Sequence, residues 1–154
     1  MTDILLVCTG NTCRSPMAEA VLRNMLAPRN PEATVGSAGT GAWDGAPVSE
    51  GAYLVSLEHG LDISDHVARL LTRGLVEDAS LIFTMARHHR SRVEELGGGA
   101  KVHLLGEFAG LTGASVEVSD PFGADIEAYR DTFVQLETLL SQSLDRLTKE
   151  LAGD

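Results

Sequence analysis

Near its start the chain carries an apolar run, Ile4-Leu5-Leu6-Val7, that stops abruptly at Cys8-Thr9-Gly10-Asn11-Thr12-Cys13 and gives way to helical spacing after Ser15-Pro16. Nothing else in the sequence constrains the fold as tightly. A run this short, apolar throughout and cut off by turn-forming residues, reads as a strand buried on both faces. Ser15 then reads as a helix N-cap and Pro16 as the first helical residue, where the missing N–H is not needed. Met17, Val21 and Met25 make the apolar stripe, and Pro28 to Pro31 end the helix. A strand leading straight into a helix is the opening of a βαβ unit, and such units build parallel sheets with helices on their faces.

The remainder repeats the alternation. Residues 33–38, 79–85 and 101–105 read as three further strands. A Gly-rich loop at 39–47 carries Trp43 and Asp44, and 48–59 reads as a helix closed by Gly60. A short charged helix over 87–96 ends at Gly97-Gly98-Gly99, and 125–151 is a long amphipathic helix with Tyr129, Phe133, Leu136, Leu140, Leu144 and Leu147 on one face. The expectation is an α/β fold: one domain over residues 1–154, with a four-stranded parallel sheet flanked by helices on both faces.

Composition narrows the function classes. The chain has 154 residues and a formal net charge of -10. Phosphate contacts dominate nucleic-acid affinity, so this balance argues against nucleic acid and against anionic membrane surfaces. It suits a cationic protein partner, as it also suits plain solubility. No apolar run is long enough to span a bilayer, and residues 1–8 lack the basic start of a signal peptide. A cytoplasmic monomer is expected. With two cysteines, Cys8 and Cys13, there is neither a disulfide framework nor zinc-finger spacing. No metal or other cofactor is expected, and the question becomes thiol reactivity.

Parallel sheets bind ligands beyond the carboxyl ends of their strands, where Cys8 stands. Five residues separate Cys8 from Arg14. An arc of that length entering a helix N-terminus can turn its amides inward around one tetrahedral oxyanion, while Arg14 closes the ring with a two-pronged guanidinium. Gly10 allows tight curvature, and Asn11 tolerates the left-handed region and braces the loop by side-chain hydrogen bonds. The same donors should pull the Cys8 thiol below the value of a free one. The Gly-Lys-Ser/Thr of nucleotide-binding loops is absent.

Val7-Cys8-Thr9-Gly10-Asn11-Thr12-Cys13-Arg14-Ser15-Pro16-Met17-Ala18-Glu19 resembles the N-terminal signature of the low-molecular-weight protein-tyrosine phosphatases, and Ser37-Ala38-Gly39-Thr40, Asp65-His66-Val67-Ala68-Arg69 and Asp120-Pro121-Phe122 resemble further family motifs. The resemblance covers nearly the whole chain. It implies a phosphate-binding loop of Thr9, Gly10, Asn11, Thr12, Cys13, Arg14 and Ser15. It implies Cys8 as nucleophile, Arg14 as phosphate clamp and Asp120 as general acid. Asn11, Ser15, Ser37 and His66 would form a bracing network, with Ser15 also bonding the thiolate. Trp43 and Phe122 would border the substrate cleft, although Trp43, as the only Trp, reads equally well as a core residue. The reaction would run through a phosphocysteine that water hydrolyses, with phosphorylated proteins as partners.

Two features separate the chain from standard tyrosine-directed members. Thr12 stands where many carry an aliphatic residue, as in the protein-arginine phosphatases it resembles, and Phe122-Gly123 replaces a tyrosine pair. Phosphoarginine is therefore favoured, with phosphotyrosine the alternative and Thr12 as a mere loop-geometry residue still open. Two rivals are a thiol-dependent arsenate reductase, against which stands the lack of cysteines after Cys13, and a non-catalytic phosphoprotein-binding module, against which stands the joint presence of Cys8, Arg14 and Asp120. Cys13 is either a redox partner for Cys8 or a small buried filler.

Overall fold

The structure is a computed structural model that describes residues 2–153. Its four strands are β1 (Thr2–Cys8), β2 (Val35–Gly39), β3 (Ala79–Thr84) and β4 (Val102–Leu104), in spatial order β2-β1-β3-β4, with every pairing parallel. Helices α1 (Arg14–Leu26), α2 (Glu50–Glu58), α3 (Arg73–Asp78), α4 (Arg87–Glu95), α5 (Leu105–Phe108) and α6 (Ile126–Leu151) cover the faces, with one 3-10 turn at Gly113–Val116. The α/β architecture expected from the sequence is the one observed.

The pleat of β1 divides the interior. Successive side chains point to opposite faces. Ile4, Leu6 and Cys8 join a core with Met17, Val21 and Leu22 of α1 and Phe133, Leu136 and Leu140 of α6. Leu5 and Val7 join a second core with Val76, Ile82, Val93 and Val102. Both faces being covered explains the unbroken apolar run in the sequence. It also delivers Cys8 to the α1–α6 side, at the C-terminal end of the central strand.

Several boundaries move. Helix α1 begins at Arg14, with Cys13 at the N-cap and no side-chain cap, so Ser15 is not the N-cap and Pro16 is not the first helical residue. Pro16 still lies in the first turn, where its missing N–H costs nothing. Ser15 is unavailable as a cap because its hydroxyl bonds inward, to Cys8 and Asn11. Residues 105 onward leave β4 to form α5, and α2 starts two residues later than the sequence suggests. The six-residue α3, whose N-cap Thr72 accepts from the Leu75 N–H, and the four-residue α5 are too short for periodicity to reveal. The long α6 has its N-cap at Asp125, which accepts from the Ala128 N–H.

Phe133 is fully buried at the centre of the α1–α6 core. Phe133→Ala is expected to cost about 3–5 kcal/mol, as large core truncations do. Urea denaturation should show the midpoint falling with an unchanged slope.

Candidate active site

The loop after β1 is held by an amide with every group engaged. Asn11 is fully buried and adopts φ 55°. Its Nδ2 donates to Ser15 Oγ at 2.8 Å and to Ser37 Oγ at 2.9 Å, while its Oδ1 accepts the Arg69 N–H at 3.0 Å. Its carbonyl accepts from His66 Nε2 at 2.7 Å, which places the proton on that nitrogen. Ser37 in turn donates to Glu19 Oε1 at 2.7 Å. Behind it, Arg69 Nε donates to the Ser37 carbonyl at 2.8 Å. Ser15, Ser37 and His66 thus meet on Asn11. Arg69 and Glu19 belong to the same brace and were not singled out from the sequence, because an Arg or Glu on a helix or loop carries no local sign of its partner.

The bond directions reach the sulfur. Asn11 Nδ2 can only donate, so the one hydrogen of Ser15 is turned to Cys8 Sγ, 2.9 Å away. The sulfur is therefore an acceptor. Burial nevertheless pushes the Cys8 thiol up from its ordinary value. The Ser15 hydroxyl, the Ser15 N–H, Arg14 and the Asn11 N–H all pull it down, but burial is the larger effect. This corrects the expected depression. The loop supplies donors that favour a thiolate, and withdrawal from water outweighs them.

Around the sulfur, Cys8, Thr9, Gly10, Thr12, Cys13, Arg14, Asp120 and Phe122 line a pocket of about 230 Å³. Among the described residues, the N–H groups of Gly10, Thr12, Cys13 and Arg14 donate to no backbone carbonyl, which makes the loop an anion nest at a helix N-terminus. Arg14 is almost fully buried; its Nη1 donates to the Val118 carbonyl at 3.0 Å and its Nη2 lies 3.5 Å from Asp120 Oδ2. Asp120 also accepts the Phe122 N–H at 3.1 Å, and its side chain is half exposed. The perch for Asp120 is fastened below by Gln135 of α6, which donates to the Glu117 carbonyl at 3.0 Å and accepts the Ser119 N–H at 3.2 Å.

Phe122 stands at the pocket with 71% of its surface exposed. Trp43 is 84% exposed, so it is not a core residue, and it does not line this pocket. Cys8 and Cys13 are both free. Cys13 lies among hydroxyls, with Ser49 Oγ at 3.2 Å and Tyr129 Oη at 3.5 Å. Ser49 donates both its N–H and its hydroxyl to the Thr12 carbonyl, each at 3.0 Å, and so fixes the peptide that presents Thr12. His89 of α4 is fully buried and lies 2.8 Å by Nε2 from Thr9 Oγ1. Its signal was available: it stands at the third helical position, where a side chain reaches back to the N-cap N–H. A larger groove of about 590 Å³ runs along α1 past Glu19, Arg23, Asp62 and His66, on the far side of the brace and without contact to Cys8. Among the described residues no cluster of three or more His, Cys, Asp or Glu is placed to hold a metal ion, and no helix is long and apolar enough to cross a membrane.

A family model described as "Low molecular weight phosphotyrosine protein phosphatase" matches residues 3–152. The chain is 37% identical over 150 residues to a protein-arginine-phosphatase of Bacillus subtilis, covering 96% of this chain and 98% of the relative. It is also 37% identical over 154 residues to the low molecular weight protein-tyrosine-phosphatase Wzb of Escherichia coli K12, covering 99% of this chain and 97% of the relative. Among solved structures, a cysteine-to-serine mutant of the YwlE arginine phosphatase with a phosphorylated active-site serine superposes with a TM-score of 0.86 at 37% identity, covering 97% of each chain.

Two outcomes follow from the pKa directions. Ser15→Ala removes the nearest donor to the sulfur, so the pH dependence of Cys8 alkylation by iodoacetamide should move to higher pH. His89 is held down to about 3 from 6.5, chiefly by burial and then by the charges of His88 and Arg14. The unfolded chain then binds the extra proton first, so the stability contributed by His89 is complete above pH 6.5 and is lost as pH falls toward about 3. His89→Gln should flatten the fall of unfolding free energy across that window in denaturant titrations at stepped pH.

Proposed function

Because the chain belongs to the low molecular weight phosphotyrosine protein phosphatase family, a family of cysteine-based protein phosphatases, we propose that it hydrolyses phosphoarginine on proteins, with Cys8 as nucleophile. The observation that carries the mechanism is the position of Arg14. It bonds the Val118 carbonyl and approaches Asp120 while lining the same small pocket as Cys8. Cys8, Arg14 and Asp120 line one small pocket, which supports reading them as nucleophile, clamp and proton donor.

In this reading the Cys8 anion attacks phosphorus in line. The free loop N–H groups and Arg14 hold the three equatorial oxygens as charge develops on them. Asp120, released from Arg14 as the phosphoryl group takes its place, protonates the departing atom. It then removes a proton from the water that attacks the phosphocysteine. Ser15, whose hydrogen already faces the sulfur, stabilises Cys8 as the leaving group of the second step. No step calls on a metal. A reactive buried thiol of this kind works where thiols stay reduced, and we place the protein in the cytoplasm, acting as a monomer on phosphorylated proteins.

The choice of phosphoarginine rests on Thr12. It lines the pocket beside Cys13 and offers a hydroxyl where an aliphatic side chain would offer only carbon. A guanidinium carries several N–H donors and an aryl ring carries none. Phe122 favours the second reading, phosphotyrosine, because an exposed aromatic at the rim can stack on a phenyl ring as well as on a guanidinium plane. The relatives include proteins named for each activity at equal identity, so they do not separate the two.

Phosphoarginine and phosphotyrosine peptides should be compared with wild type, Cys8→Ser and Thr12→Ile. Cys8→Ser should abolish turnover of both. Thr12→Ile should lower kcat/KM on phosphoarginine about tenfold, the effect of one well-placed hydrogen bond of roughly 1.4 kcal/mol, and spare or raise the phosphotyrosine value. An unchanged ratio would remove the case for phosphoarginine.

A further inference from the structure

The chemistry proposed above leaves one buried ionisable group of this site unused. His89 has no exposed surface, although it lies at the start of α4, beside the mouth of the loop. It holds the third helical position after the N-cap Ala86, where Glu or Gln ordinarily reaches back to the N-cap N–H. Here Nδ1 does so, accepting from the Ala86 N–H at 3.1 Å. A backbone N–H can only donate, so Nδ1 carries no proton, and in the neutral ring the hydrogen must sit on Nε2. That nitrogen lies 2.8 Å from Thr9 Oγ1. The direction of the bond follows: the imidazole donates and the hydroxyl oxygen accepts. The cap of a helix thereby fixes the tautomer of a ring that touches the phosphate loop.

The consequence falls on Thr9. Its backbone is already pinned, since its carbonyl accepts the Gly41 N–H at 2.9 Å. What His89 adds is the orientation of the side chain. One lone pair of Oγ1 is occupied by Nε2–H. Among the described residues the hydroxyl has no other partner, so its second lone pair and its hydrogen remain for whatever enters the pocket. Thr9 is solvent-exposed and lines that pocket together with Asp120 and Phe122, whereas Asn11 and Ser15 are buried behind it. Thr9 thus stands on the open side of the loop, the side from which a substrate enters.

We propose that His89 is a positioning residue for substrate selection, which through Thr9 presents a fixed hydroxyl oxygen suited to accept an N–H from the guanidinium of a phosphoarginine. The inference rests on the phosphatase reading above and adds a second polar contact, independent of Thr12. A phenyl ring gives Thr9 no donor and would cover the second lone pair with carbon, leaving that lone pair unmatched. A guanidinium satisfies it. Thr9 and Thr12 both line the pocket, so two hydroxyl-bearing residues of the same loop border it.

The test measures kcat/KM on phosphoarginine and phosphotyrosine peptides for wild type, Thr9→Val, Thr9→Ser, His89→Gln and Thr12→Ile. Thr9→Val keeps the shape and removes the oxygen, and should lower the phosphoarginine-to-phosphotyrosine ratio about tenfold, on the order of one hydrogen bond. Thr9→Ser should restore the ratio to within about twofold of wild type, and His89→Gln should fall between. A role confined to folding would reduce both substrates together and leave the ratio alone. Nitrogen-15 NMR of wild type at neutral pH should show His89 as the neutral Nε2–H tautomer with an exchange-protected proton, and the protection should vanish in Thr9→Val. A ratio unchanged in both Thr9→Val and His89→Gln, or an Nδ1–H tautomer, overturns the proposal. A ratio that responds to Thr12→Ile and not to Thr9→Val overturns it and leaves the phosphoarginine reading standing. A wild type that cleaves phosphotyrosine alone overturns both.

Discussion

The site depends on the primary amide of Asn11. The loop must curl tightly enough for its amides to converge, and the curl passes through a left-handed residue at φ 55°. For a residue with a Cβ that conformation costs on the order of 1–2 kcal/mol. Four hydrogen bonds to Ser15, Ser37, Arg69 and His66 hold it there, each contributing about 0.5–1.5 kcal/mol net. Their sum outweighs the strain. Two of these partners cannot be replaced by bulk water, since Ser15 and Ser37 are buried with Asn11. Glycine in place of Asn11 would relieve the strain and lose the direction of the bonds, and the direction is what matters at the sulfur.

Two opposing demands meet at Cys8. Catalysis of the proposed kind needs an anion, and a sulfur delivered by a core-facing strand position is withdrawn from water. β1 alternates strictly between two cores, so Cys8 cannot be moved to a wetter place without turning every other residue of the strand over. The structure answers with donors rather than solvent: a hydroxyl whose hydrogen has nowhere else to go, two backbone N–H groups and a buried guanidinium. Burial still prevails. Arg14 is bonded to the Val118 carbonyl and close to Asp120, so part of its charge is spent on its neighbours.

The parts legible in the sequence were those set by neighbouring residues. The strand, the loop and the helix of residues 3–26 show through composition and spacing alone, and the stripe of α6 shows through its period. What escaped depends on contacts across many residues. Arg69 and Glu19 act through Asn11 and Ser37, 58 and 18 residues away from them. Gln135 fastens the perch of Asp120 from 16 and 18 residues along the chain. The starting point of α1 was misplaced for an instructive reason. Ser15 followed by Pro16 is a strong local cap signal, but the hydroxyl serves the sulfur instead, and the first turn is left uncapped so that its N–H groups remain open to an anion. The local rule failed where function displaced it. The direction of the Cys8 shift escaped for a related reason: motif spacing reveals the donors and says nothing of how dry the pocket is.

The braces come from separate elements, and this has a physical consequence. Ser37 arrives on β2, His66 and Arg69 on the segment before α3, His89 on α4, and the support for Asp120 on α6. Packing of both cores is therefore required to bring the donors within hydrogen-bond reach of one small loop. A loop held by one neighbour could adjust when that neighbour shifts; a loop braced from β2, from the segment before α3 and from α4 cannot follow them all. Loss of packing density anywhere along α4 or α6 should then appear first as a change in the geometry around Cys8, before it appears as loss of the fold, because hydrogen bonds weaken steeply with a few tenths of an ångström while apolar contacts yield gradually. The rigidity of the loop around Cys8 is a property of the whole sheet and its two layers of helices.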